Sequence, residues 1–212
     1  MRYLLIILPL LFSITACQSA YYSAMEKVGV HKRDILSDRV EDAQQSQKEA
    51  QEQFKSALEQ FSQLIQFDGG DLQRAYAATE SEYQASSKAA EDVSKRINSI
   101  EAVADALFDE WQDELEQYTS AKLKQDSAKK LDSTKRQYTS LLKTMRRAEK
   151  SMQPVLASLK DNTLYLKHNL NAKAIGALQG EFSSVQRDIN RLITEMNTAI
   201  EQSEQFVATL KQ

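Results

Sequence analysis

Apolar and small residues return along this chain at alternating spacings of three and four, and almost nothing interrupts them. Leu36, Val40, Ala43, Ala50, Phe54, Ala57, Phe61 and Leu64 make the first series, with Gln47 in its one polar slot. Such spacing keeps one stripe of a helix continuously apolar, and that stripe must be buried against others like it. Breakers are scarce: the 212 residues include five glycines and two prolines, and Pro154 is the only proline in the repetitive part. Alanine, glutamine, glutamate, lysine and leucine dominate, all good helix formers. The pattern predicts an all-α fold, an elongated antiparallel helical bundle or coiled coil of about four long helices, with no strands.

The interruptions mark the turns. Asp34 is the expected cap of the first helix, and Phe67-Asp68-Gly69-Gly70-Asp71 ends it, with glycine leaving the helix and Asp71 receiving the free amides of the next. The second seam runs through Leu72, Tyr76, Thr79, Tyr83, Ser86, Ala90, Val93, Ile97, Ile100, Ala104, Leu107 and Trp111, then slips in phase to Leu115 and Tyr118. Large apolar residues other than Leu123 are missing from Thr119 to Ser127, so the second turn is expected there. A third seam follows through Leu131, Thr134, Tyr138, Leu141, Met145, Ala148, Met152, Val155, Leu159 and Leu166, and Pro154 inside it predicts a kink near Lys150 to Met152. A break over Asn169 to Lys173 precedes the last seam, Ile175, Leu178, Phe182, Val185, Ile189, Leu192, Met196, Ala199, Phe206 and Leu210. Helices this long span about 50 to 70 Å, so the body is expected to be an up-down-up-down rod. Small residues at many seam positions supply little apolar area, and the end near Asp68 is expected to be loosely held.

The first residues read differently. Met1 and Arg2 supply a positive start, Tyr3 to Phe12 an apolar run, and Ser13 to Ala16 a small-residue stretch ending at Cys17, the order of a bacterial lipoprotein signal. The run falls short of the roughly 20 residues that cross a bilayer. Residues 1–16 are therefore read as a cleaved signal, 17–33 as a lipidated juxtamembrane linker and 34–212 as a single bundle domain, with Cys17 as the lipid attachment site. A lone cysteine forms no internal disulfide, so packing alone must hold the fold. Gln18, in place of an aspartate, matches the lipoprotein pattern sent to the periplasmic face of the outer membrane.

The 27 basic and 30 acidic residues give a net charge of −3, with no overall basic excess to suggest nucleic acid. Neither His31 nor His168 has a glutamate three residues before it, as a bundle di-metal site needs, and no phosphate-binding loop or nucleophile elbow occurs. No metal, cofactor or enzymatic role is expected. Two clusters stand out. His31, Lys32 and Arg33 lie near the anchor and could meet anionic headgroups, although a short charge run is more often a solvated linker. Tyr165, Lys167, His168, Asn169 and Asn171 gather at the last turn as a candidate partner surface, although asparagines also suit helix ends. Asp105, Asp109, Glu110, Asp113, Glu114 and Glu116 around Trp111 read as a wet helix face balanced by Lys122, Lys124, Lys129 and Lys130.

Three segments carry a resemblance: Ser19 to Leu36, Phe67 to Leu72, and Leu166 to Ile175. In them the chain resembles a family of gammaproteobacterial lipoproteins catalogued as domain of unknown function 2959, over nearly its whole length. The resemblance implies a coiled-coil-rich lipoprotein of a Gram-negative envelope, and no reaction, cofactor or binding residue. Two functions compete. One is a structural or adaptor protein tethered to the membrane through lipidated Cys17, its rod reaching an envelope protein or the cell wall. The other is a lipid-binding or membrane-remodelling bundle, whose weak first two seams open to present Phe54, Phe61, Tyr76 and Tyr83 to lipid. Heptad seams can also pair between copies, so a homo-oligomer is open.

Overall fold

A computed structural model of the chain describes Met25, residues 29–66, Gly69 and residues 71–211. The described residues form four α-helices, α1 (Lys32–Ile65), α2 (Leu72–Leu115), α3 (Ala121–His168) and α4 (Ala172–Leu210). Each packs on its chain neighbours and α4 returns to α1, while diagonal contacts are slight, so the helices stand at the corners of an antiparallel square. The start of α1, the α2–α3 turn and the end of α4 share one end, the base. The α1–α2 and α3–α4 turns share the other, the tip. The 48 residues of α3 set the distance between them at about 70 Å.

Every position of the first seam is buried, Gln47 included. The third is buried in full, and the fourth except for a partly exposed Phe182. In the second, Leu72, Tyr83 and Trp111 are only partly covered. The core also takes Val103, Phe108, Ile200 and Val207, which lie beside the seams and widen the buried face as a four-helix bundle requires. Large side chains gather toward the base. There Tyr138 of α3 lies between Phe108 of α2 and Phe206 of α4, with ring centroids 5.3 and 6.3 Å away. Nearer the tip, Phe61 of α1 meets Phe182 of α4 at 5.8 Å.

Three boundaries differ from the sequence reading. α1 starts at Lys32, two residues inside the segment read as linker, and His31 is its N-cap in an extended conformation with no side-chain cap bond. Asp34 therefore lies in the first turn, where a carboxylate still favours the helix dipole. The second turn spans only residues 116–120, because the Ser120 hydroxyl accepts the Leu123 amide and starts α3 at Ala121. Ser127, placed in the turn by its polar surroundings, is helical, and Tyr118 is 41% exposed instead of extending the second seam. Gln66 ends α1 with its amide directed to the carbonyls of Gln63 and Leu64, and Gly69 beyond it is at φ +150°. Phe67, Asp68 and Gly70 lie outside the described residues.

Side-chain caps close both helix starts at the tip. The Asp71 carboxylate accepts the amides of Gln73 and Arg74, and Asn171 those of Lys173 and Ala174. α3 continues through Pro154, which is exposed, so water can reach the Lys150 carbonyl that lacks its amide partner.

Candidate functional site

The proposed signal 1–16, the lipid attachment at Cys17 and the sorting residue Gln18 lie outside the described residues. Chemistry therefore starts at the base. Its first cluster divides: the Lys32 ammonium donates to Glu110 at 2.8 Å, with its side chain 11% exposed, while His31 and Arg33 face solvent. Lys32 thus pins the start of α1 to the end of α2. Two further bonds hold this end together, the Trp111 indole N–H of α2 on the Ser127 hydroxyl of α3 at 2.8 Å and Lys124 of α3 on Glu116 of the turn at 2.9 Å. Of the four lysines expected to balance the carboxylate face, Lys124 alone lies within ion-pairing distance of one of its carboxylates. Asp105, Asp109, Asp113 and Glu114 are exposed.

At the tip, the last-turn cluster also divides. The Asn169 amide donates to the Tyr165 carbonyl at 2.9 Å and Asn171 caps α4, so both asparagines build the turn. Lys167 and His168 are exposed at the end of α3, where their charge suits the helix dipole. Tyr165, 41% exposed, lines a groove of about 440 Å³ with Asp161, Asn162, Leu178 and Glu181, and Leu164 and Leu170 beside it are 45% and 40% exposed. An open groove of about 580 Å³ between α1 and α2 is lined by both signs of charge, including Glu49, Lys88, Asp92, Lys95 and Arg96. Among the described residues, no group of three or more His, Cys, Asp or Glu could hold a metal ion, and no helix is long and apolar enough to cross a membrane.

Titration is perturbed both at an exposed pair, where Lys95 beside Glu91 holds that carboxyl below its usual range, and within the bundle walls. Burial lifts the Tyr138 phenol well above its ordinary value, with the negative charges of Asp105 and Glu101 adding to it. Burial works against the Arg146 guanidinium, but its bonds to Glu149 and Glu101 prevail and hold it above its usual range. These groups are locked into interhelical ties. None forms a nucleophile and base pair.

Sequence reading missed how charge is distributed, because the overall sum is close to neutral. α3 carries twelve basic residues against four acidic, whereas α2 carries four against ten. Lys122, Lys129, Arg136, Lys143 and Lys150 recur at intervals of one heptad, and all five are exposed. The signal was present in the sequence, a heptad of cations displaced from the heptad of apolar residues.

Residues 21–210 match the model of a family described as protein of unknown function (DUF2959). No curated protein matches the chain.

Proposed function

We propose that this chain, which belongs to the DUF2959 family of proteins of unknown function, is a lipid-anchored structural or adaptor rod of the Gram-negative envelope. The observation that carries this reading is the placement of the ends. The chain enters the bundle at Lys32, at the base, and the exposed Leu164, Tyr165 and Leu170 lie at the opposite tip. A diacylglyceryl group on Cys17 would hold the base at the periplasmic face of the outer membrane and leave the tip about 70 Å away, free to meet a partner. The reading is non-catalytic.

Two experiments test its two halves. Mass spectrometry of the native protein should find a chain that begins at an acylated Cys17; an unprocessed, unacylated start would remove the anchor. Photocrosslinking residues in place of Tyr165 or Leu170 should capture one reproducible envelope protein or wall fragment, and their counterparts at exposed positions of the α2 base should not. Equal capture from both ends would remove the adaptor role.

The second reading, opening of the bundle toward lipid, is favoured by one observation. Gln47 and Ser86 are fully buried and their side-chain polar atoms have no partner, a weakness that among the described residues falls in α1 and α2 alone. Hydrogen exchange in the presence of vesicles separates the two, since opening would strip protection from α1 and α2 together.

A further inference from the structure

We infer that the outer face of α3 is a docking surface for a bilayer bearing anionic headgroups, on which the closed rod can lie lengthwise. Leu131, Tyr138, Met145 and Met152 stay buried one heptad after another, so the position five residues beyond each of them stays on the outermost line of the helix. Lys122, Lys129, Arg136, Lys143 and Lys150 occupy that line. Successive cations are about 10.5 Å apart and the row is about 42 Å long. None of the five has a carboxylate within ion-pairing distance. Nearby acids are fewer: between residues 122 and 150 stand ten basic side chains and three acidic ones. Of those three, Glu149 is held by Arg146, and Asp126 and Asp132 flank the line.

The apolar residues at the ends of this row decide what lies on it. Leu123, beside Lys122, is 57% exposed, and Leu164, two heptads past Lys150 on the same line, is 45% exposed with Tyr165 next to it. A soluble polyanion makes no use of leucines, whereas the interfacial layer of a membrane takes apolar side chains between long cationic ones. A single outward row of cations also suits a flat surface, which all of its members can reach together. The inference does not require acylation of Cys17, so it stands or falls separately from the anchored-rod reading.

The test is vesicle flotation of the mature chain from Gln18 onward, which has neither the apolar residues 1–16 nor an acylated cysteine to bind lipid. It should float with phosphatidylcholine vesicles containing phosphatidylglycerol, stay behind with phosphatidylcholine alone, and be released by salt. Lys143→Gln should weaken binding about fivefold, and replacement of all five cations by Gln should abolish it. Leu164→Ser should weaken it as well, while Lys48→Gln with Lys88→Gln, on other helices, should not. All five cations are exposed, so circular dichroism should show an unchanged helix content. No flotation with phosphatidylglycerol, or equal flotation of the five-fold variant, overturns the inference. So does binding of soluble polyphosphate without binding of vesicles.

Discussion

At the level of single residues the bundle is most unusual at Gln47. Its side chain is completely buried and neither amide atom finds a partner, whereas Gln51, one turn later, donates to Asn197 at 2.8 Å across the α1–α4 interface. An unpaired buried polar group costs about 1 to 3 kcal/mol, so Gln47→Leu is expected to raise the denaturation midpoint with little change in slope. A lone polar residue in a heptad seam can also fix register, and the same variant should show any lost specificity as new oligomers on size exclusion. Periodicity alone put Gln47 in the seam. Its missing partners were not legible, because they depend on side chains contributed by helices far away in the chain. Tyr138 yields a pH prediction. Its folded pKa is raised above the ordinary tyrosine value, so above that value the unfolded chain loses the phenolic proton before the folded one. Its contribution is complete at neutral pH and is lost as pH climbs from about 10 toward the folded value. Tyr138→Phe should flatten the alkaline fall in stability measured by urea unfolding, and an unchanged fall would assign it to other groups.

Among elements, the helix ends show why turns were read less well than seams. Asp71 and Asn171 were legible because each precedes an apolar series directly and its short carboxylate or amide can reach the second and third amides of the helix. Ser120 was not, since α3 begins well before its first buried leucine, Leu131. The intervening Ala, Lys, Leu and Gln residues hold a helix by propensity without a buried face, and a search for burial passes over them. Asn171→Ala should cost about 1 kcal/mol, read as a lower melting temperature. Pro154→Ala should act oppositely. It restores an amide to an exposed turn of α3 and should stabilise the protein by up to about 3 kcal/mol. A destabilised P154A protein would mean that the native α3 follows a path only proline supports.

For the molecule as a whole, the two ends are unequally built, and this bears on which end can yield to a partner. Toward the base, α2 contributes Ile97, Ile100, Val103, Leu107 and Phe108 to the core, and Phe108, Tyr138 and Phe206 join three helices. Toward the tip it contributes Tyr76, Thr79, Ser86 and Ala90, with Tyr83 only partly covered. At about 25 cal/mol per Å² of apolar area removed from water, small and hydroxylated side chains return much less than the isoleucines and phenylalanine below them. The ties toward the tip are mostly polar: Glu82 accepts from Gln53 at 2.7 Å and from Ser56 at 3.2 Å, and the Gln179 amide donates to the Ile65 carbonyl at 2.8 Å, beside the Phe61–Phe182 ring contact. Opening should therefore start at the tip and travel toward the base, as local unfolding follows the density of buried contacts. Native-state hydrogen exchange should give amides at positions 76–88 lower opening free energies than amides at 97–108. Phe182→Ala should widen that gap by loosening the tip, and Phe206→Ala, which removes a base aromatic, should lower global stability by about 3 to 5 kcal/mol. Equal opening free energies along α2 would make the rod one cooperative unit, leaving it no soft end to offer.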